Sequence, residues 1–107
     1  MVQSGSAVDA VLDDLLTAGL EKGDIVIDGG NSHFVDTVRR QSLLQEKKIA
    51  FVGMGISGGE DGALNGPSMM PGGDDTAIAS VVQLLTPMAA DDGAGGKCIT
   101  AIGTGGS

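Results

Sequence analysis

The chain has 107 residues, enough for one domain with an adequate core, and its 41% of hydrophobic residues is typical of globular proteins. A formal net charge of −8 repels nucleic-acid backbones and anionic lipid surfaces, and no apolar run reaches the length of a membrane span, so neither partner is expected. The single cysteine and the lack of clustered cysteine and histidine predict no disulfide, no bound metal and a cytoplasmic location.

The first half of the chain predicts a helix, a strand and a second helix. Apolar residues recur at helical spacing from Val8 to Leu20, opposite an acidic face, and predict an amphipathic helix that ends in a turn at Gly23. The β-branched run 25–27 is typical of a strand in a parallel sheet covered on both faces. A second helix through Lys48 is expected, with Asn31 or Ser32 as its N-cap.

The second half continues this alternation. Residues 49–52 repeat the strand signal, and residues 68–70 give a weaker one. A third helix is predicted to begin near Asp74 and Asp75 and to close near Pro87, and a last strand is predicted over residues 99–102, after a loop over residues 91–96. The alternation predicts right-handed crossover units and hence an α/β fold, with an open, doubly wound, mainly parallel sheet and helices on both faces.

Glycine is concentrated between residues 53 and 73, with eight glycines in twenty-one positions. This density argues against a packed helix. Residues 53–58 match the dinucleotide fingerprint G-x-G-x-x-G, but Glu60 and Asp61 follow where a pyrophosphate-binding helix would open, so the charge there has the wrong sign. We therefore expect a loop whose backbone N–H groups and Ser57 hydroxyl hold a carboxylate or a hydroxylated chain; the alternative is a flexible surface loop.

Other polar residues offer weaker candidates. Asn31 directly follows a strand, where ligands of such sheets bind, but a helix cap is the simpler role for this residue alone. His33 is expected at an exposed helix start rather than as a general base, and Arg39 and Arg40 on a solvated helix face rather than on a phosphate. Cys98 is expected to be a small buried residue, and the adjacent carboxylates at 60–61 to be exposed.

Three stretches taken together resemble decarboxylating 6-phosphogluconate dehydrogenase. They are D-I-V-I-D-G-G-N-S over residues 24–32, D-T-V-R-R over residues 36–40, and the run from 51 to 73 that contains S-G-G-E. The resemblance covers nearly the whole chain. It implies that residues 1–107 are the C-terminal half of a Rossmann-type coenzyme domain, without the opening βαβ unit, its fingerprint and the family's large helical domain.

The resemblance also implies the site residues. In that family the asparagine after the double glycine contacts both nicotinamide coenzyme and substrate, which carries onto Asn31. The serine and glycines of the S-G-G-E loop bind the sugar acid, which carries onto Ser57, Gly58 and Gly59. Residues 2–5 resemble the family's V-K-A-G coenzyme turn, which assigns Val2 to the coenzyme, although a glutamine replaces the lysine.

The family's reaction follows as an expectation. The C3 hydroxyl of 6-phosphogluconate is oxidised by hydride transfer to NADP, and the β-keto acid loses carbon dioxide to give ribulose 5-phosphate, a step of the pentose phosphate pathway. NAD is the alternative coenzyme, and the full-length family is a cytoplasmic homodimer. No catalytic residue is expected in this chain, because the base and acid follow the glycine turn resembled by Gly103 to Ser107, and the chain alone is expected to be inactive. The alternative is a non-catalytic small-molecule or protein-binding module derived from such a domain.

Overall fold

The computed structural model describes residues 1–91 and 96–103, and within them it has an α/β fold, which confirms the predicted class. The helices are α1 (Ser6–Ala18), α2 (Phe34–Gln45), α3 (Gly59–Asn65) and α4 (Asp75–Leu85), which is followed by a 3-10 turn (Thr86–Met88). The strands are β1 (Ile25–Asp28), β2 (Ala50–Ser57) and β3 (Ser68–Gly72). In these two ranges, no helix has the length and apolar character that crossing a membrane requires.

The central strand of the sheet is β2. It pairs in parallel with β1, with Ile27 opposite Val52, and antiparallel with β3, with Met54 opposite Pro71. The first pairing is the predicted one, but β3 runs opposite to what a series of crossover units would give. Only residues 58–67 separate β2 from β3, and a parallel return needs a connection of about a dozen residues or more. The short connection therefore reverses the chain.

Helices cover both faces of the sheet, as predicted. Because side chains alternate along a strand, successive residues of β2 enter two different cores. Phe51 packs on one face with residues of α1 and α2, namely Val8, Leu12 and Leu44. Val52 and Met54 pack on the other face with Met69 of β3 and with α4 residues, namely Ala77 and Val81. The ends of β1 and β2 are thus held between two helical layers.

The helix ends differ from prediction in detail. The first helix stops at Ala18, because Gly19 takes a left-handed conformation (φ 115°) and its N–H bonds to the Leu15 carbonyl; Gly23 lies in the following turn. Helix α2 is capped by His33, whose Nδ1 accepts a hydrogen bond from the Val35 N–H at 3.3 Å, and neither predicted cap serves there. Helix α4 begins as predicted, with Asp74 accepting from the Ala77 N–H at 3.2 Å.

The glycine-dense run is not the loop that its composition predicted. Gly53 and Gly55 lie inside β2, opposite Gly72 and Met70. The next segment forms α3, because Gly58 (φ 142°) turns the chain sharply into it and two carboxylates occupy its first turn, where the helix dipole favours negative charge. Tertiary packing and a turn therefore override a poor helix propensity.

The last predicted strand is reduced to a bridge. Ile99 pairs in parallel with Met69, and the segment follows β3 through hydrogen bonds from Met69 N–H to Cys98 O (2.8 Å) and from Thr100 N–H to Met69 O (3.1 Å). Residues 99–102 therefore do not form a regular strand, but they run beside β3 in the parallel direction, and the Ile102 N–H also donates to the Pro71 carbonyl at 3.1 Å. Most of the predicted loop 91–96 and most of the turn 103–107 fall outside the described residues.

Candidate functional site

The turn after β1 is built around a buried carboxylate. Asp28 accepts a hydrogen bond from the Gly30 N–H at 3.0 Å through Oδ1 and from the Ser32 hydroxyl at 2.5 Å through Oδ2. The double glycine leaves no room for side chains: a Cβ on Gly30 would lie 2.9 Å from the Val2 carbonyl oxygen. The turn is therefore fixed by Asp28 and pressed against the N-terminal segment.

Asn31 links the two predicted ligand-binding stretches. Its side-chain Nδ2 donates to the Ile56 carbonyl at 3.1 Å, and its Oδ1 accepts from the Ile56 N–H at 3.0 Å. The residue is exposed and has a left-handed backbone (φ 55°), which asparagine tolerates better than most residues. A carboxamide has two N–H donors and two acceptor positions, so one of each remains for a ligand. Asn31 is thus a bridge between strand ends and not a helix cap.

The S-G-G-E loop starts immediately beyond that bridge. Ser57 ends β2, opposite Ser68, and Gly58 and Gly59 follow with φ values of 142° and 53°. These three residues are exposed, as is Asn31, the fourth predicted substrate residue. A Cβ on Gly58 would lie 2.8 Å from the Cα of Gly62. Glycine is required at that position both for the backbone angle and for the close approach of α3.

A cleft of about 940 Å³ contains these residues. Asn31 and the Ser57–Gly59 loop supply polar groups to its wall, and much of the remainder is apolar, including Ile27, Met54, Met69, Leu85 and Met88. The cleft lies beyond the carboxyl ends of the parallel strands, where ligands of open α/β sheets bind. A smaller cavity of about 410 Å³, lined by Gln45, Ala50 and Asp75 among others, contains none of the predicted site residues.

The N-terminal segment reaches the same edge. Met1 lines the cleft, and its side chain packs near Gly29, where a Cβ would lie 3.3 Å from the Met1 Cγ. The Val2 carbonyl lies against Gly30, as described above. The structure therefore brings Val2, Asn31 and the Ser57 loop together, at one edge of the sheet.

The burial of Arg40, which lies close to the turn after β1, was not predicted from the sequence. Arg40 is fully buried, and it donates to Asp9 Oδ1 through Nε at 2.9 Å and to the Gly5 carbonyl through Nη2 at 2.9 Å. The Arg40 hydrogen bond is the largest cause that lowers the pKa of Asp9 to about 2. Arg39 does lie on the exposed face, so the predicted solvated face is wrong for Arg40 alone. The helical spacing of Arg40 from Thr37 and Leu44 puts all three on one buried face of α2, and this pattern could have predicted its burial.

The remaining candidates keep simple roles. His33 is exposed and caps α2, as the expectation of an exposed helix start required. Glu60 and Asp61 are exposed, and Asp61 accepts a hydrogen bond from Asn65 Nδ2 at 2.8 Å. Cys98 is half-buried. Across residues 1–91 and 96–103, no three His, Cys, Asp or Glu side chains are grouped as metal ligands would be.

Comparison with known families gives one consistent result. A family model described as the NAD binding domain of 6-phosphogluconate dehydrogenase matches residues 1–103. The chain is 50% identical to the decarboxylating 6-phosphogluconate dehydrogenase of Staphylococcus aureus (strain N315), over 100% of this chain and 23% of that protein. It is 51% identical to the enzyme of the same name from Treponema pallidum (strain Nichols), again over all of this chain and 22% of that protein.

A solved structure is similar as well. The 6-phosphogluconate dehydrogenase of Plasmodium falciparum superposes with a TM-score of 0.89 at 40% identity, over 97% of this chain and 22% of that one. That protein has been solved in its apo form, in complex with its cofactor NADP⁺ and in complex with its substrate 6-phosphogluconate. The chain thus spans between a fifth and a quarter of the length of these relatives.

Proposed function

Because the chain belongs to the family of the NAD binding domain of 6-phosphogluconate dehydrogenase, we propose that it forms part of an enzyme that oxidatively decarboxylates 6-phosphogluconate to ribulose 5-phosphate with NADP. Residues 1–107 are then the C-terminal half of its Rossmann-type coenzyme domain. The main support for the proposal is the pair of hydrogen bonds between Asn31 and Ile56. These bonds hold Asn31, the proposed contact of both ligands, beside the Ser57 loop, the proposed substrate contact.

Asn31 is proposed to contact both ligands. Hydride transfer needs the reacting carbon of the substrate close to the nicotinamide ring and correctly oriented, and such positioning accounts for a large part of many enzymatic rate enhancements. NADP⁺ supplies the hydride acceptor when it is bound. The Asn31 carboxamide is held by the Ile56 main chain and keeps a donor and an acceptor available, so it is suited to fix one ligand relative to the other.

The Ser57 loop is proposed to hold the sugar acid. Glycine lets a ligand approach the backbone closely, and main-chain N–H groups with a hydroxyl are suited to a carboxylate. Positive side chains are scarce in the cleft wall: Lys97 is engaged with Asp91 at 3.0 Å and with the Ala89 carbonyl at 3.3 Å. We therefore assign the carboxylate end of the substrate to Ser57, Gly58 and Gly59, and its phosphate to residues beyond this chain.

The coenzyme is assigned to the other side of Asn31. The Val2 carbonyl lies against Gly30, next to the Asn31 turn. A main-chain contact at Val2 does not depend on the side chain that follows, so the glutamine at position 3 is compatible with it. We further propose a cytoplasmic homodimer, on the grounds of family membership and of a single half-buried cysteine.

The test is steady-state kinetics of the native protein that carries this segment, with 6-phosphogluconate and NADP⁺. We expect NADP reduction that depends on the sugar acid. In the Ser57→Ala variant we expect the KM for 6-phosphogluconate to rise about tenfold, because a hydrogen bond to a charged group is lost, with the KM for NADP unchanged. Ser42→Ala, an exposed serine on α2, is the matched control and is expected to behave as wild type. Absence of sugar-dependent reduction in the wild type would instead favour a non-catalytic binding module.

A further inference from the structure

Arg40 joins parts of the chain that are distant in sequence. The residue belongs to α2, whereas both of its hydrogen-bond acceptors, Gly5 and Asp9, belong to the start of α1. A buried guanidinium is costly unless it is paired, so displacing the start of α1 from α2 would leave an uncompensated charge. The contact therefore fixes the segment that carries Val2.

The same guanidinium approaches the turn after β1. Its Nη1 lies 4.0 Å from Asp28 Oδ2, and this is the oxygen that accepts the Ser32 hydroxyl. A positive charge at this distance stabilises a buried carboxylate. Asp28 in turn holds the Gly30 N–H, one residue before Asn31. Through one side chain, the start of α1 and the Asn31 turn share a charge network.

One nitrogen of the Arg40 guanidinium accounts for none of its hydrogen bonds. Nη1 is buried and has no hydrogen-bond partner among the described residues, although buried polar groups are almost always satisfied. The other guanidinium bonds all go to the α1 side. The hydrogen bonds to Gly5 and Asp9 therefore determine the position of the Arg40 side chain more than its longer ion pair with Asp28 does. This is expected of a residue that sets the spacing between two segments.

On these grounds we propose that Arg40 is a positioning residue, which holds the Val2 segment against the Asn31 turn and thereby sets the affinity for the coenzyme. The inference rests on the proposed function, since Val2 and Asn31 are the proposed coenzyme contacts. Arg40 itself touches no ligand. Its effect falls mainly on the coenzyme, because the substrate is also held by the Ser57 loop, which is built on β2 and α3, and Arg40 makes none of its hydrogen bonds to these elements.

The test is equilibrium titration of the folded native protein with NADP⁺ and, separately, with 6-phosphogluconate. In Arg40→Lys the charge remains, but the guanidinium fork that reaches two acceptors at once is lost. We expect the dissociation constant of NADP⁺ to rise about tenfold, and that of the sugar acid, which shares Asn31 but keeps the Ser57 loop, to rise by a clearly smaller factor. Arg39→Lys is the matched control: Arg39 bonds the same Asp9, but its side chain is 53% exposed, and no change is expected.

A second variant keeps the test decisive if Arg40→Lys does not fold. Asp9→Asn removes the charge from the acceptor of Arg40 at a half-exposed position, and we expect it to weaken NADP⁺ binding more than sugar-acid binding, with a smaller effect than that of Arg40→Lys. Equal weakening of both ligands, or unchanged NADP⁺ affinity in the variants that fold, would overturn the inference. A wild-type protein that binds no NADP⁺ would refute the proposed function instead.

Discussion

The two double-glycine turns of this chain use glycine for different reasons. After β1, Gly29 and Gly30 lie between a buried carboxylate and the N-terminal segment, and their φ angles are not in the left-handed region. After β2, Gly58 and Gly59 are exposed and both have positive φ angles. The same dipeptide thus provides space in the first turn, whereas in the second it provides conformational freedom and, at Gly58, space as well.

The two turns also differ in what holds them. The first is surrounded by charged and polar side chains: Asp28 holds its backbone, and Arg40 lies beside Asp28. The second is held by backbone contacts, such as the bond from Gly62 N–H to the Gly58 carbonyl at 2.7 Å. Substitutions should therefore act through packing and charge in the first turn, and through backbone strain, joined by overlap with Gly62 at position 58, in the second.

The largest effect on stability is expected from Gly58→Ala. The new Cβ meets the Gly62 Cα at 2.8 Å, and the φ angle of 142° is one that alanine rarely adopts. Strain and overlap together are expected to lower the free energy of unfolding by about 3 kcal/mol. Urea denaturation of the native protein measures this, and a loss no larger than that of an exposed serine variant such as Ser42→Ala would contradict it.

The next effect is expected at Asn31, where the two turns meet. Asn31→Ala removes both hydrogen bonds to Ile56 and the proposed ligand contacts, and we expect kcat/KM to fall by an amount worth about 1–3 kcal/mol. The Asn31→Gly variant separates the causes, because glycine tolerates the φ angle of 55°. If both variants lose kcat/KM equally, the carboxamide is responsible. Wild-type kinetics in both would contradict the assigned role.

A smaller effect is expected from Gly59→Ala. Nothing lies within 4 Å of a Cβ at this position, so the substitution tests the φ angle of 53° alone. A left-handed alanine costs about 1 kcal/mol, and asparagine, which tolerates this region better, should cost less. Comparing the two variants by urea denaturation checks the reason: an asparagine variant less stable than the alanine variant would show that packing, and not conformation, governs this site.

The smallest effect on stability is expected from a change of pH. It should act through Asp9, which belongs to the charge network beside the first turn. The pKa of Asp9 is lowered to about 2 from an ordinary 3.8, chiefly by its hydrogen bond to Arg40. A lowered folded-state pKa stabilises the protein above pH 3.8, and this contribution is lost as the pH falls towards 2. The stability difference between wild type and Asp9→Asn should shrink over that range, modestly because Asp9 is half-exposed. A difference independent of pH would contradict this.

The place of Asn31 in the fold could be predicted from local patterns, whereas its proposed ligand role came from the family resemblance. The run 25–27 is β-branched and followed by turn residues, so the sequence indicated where β1 ends. The carboxyl ends of parallel strands lie on the same side of a sheet. That reasoning correctly brought Asn31 to the S-G-G-E loop. The cap of α4 was also predicted, since Asp74 satisfies the N–H groups of its own first turn.

The misses depend on tertiary contacts. Helix α3 is poor in helix formers, and the close approach of Gly58 to Gly62, where a Cβ on Gly58 would lie 2.8 Å from the Gly62 Cα, is a contact that no local propensity expresses. Arginine is rarely buried, so a partner as distant in sequence as Asp9 was needed to place Arg40 inside. The antiparallel direction of β3 follows from the length of one connection and not from the composition of the strand.

The direct test of a coenzyme and a sugar acid meeting at Asn31 is amide NMR of the ¹⁵N-labelled native protein, with Asn31→Gly to assign the side-chain signals. We expect the Asn31 carboxamide to shift with NADP⁺ alone and with 6-phosphogluconate alone, and Gly58 and Gly59 to shift with the sugar acid only. A carboxamide that responds to neither ligand, while the ligands bind, would contradict the shared contact.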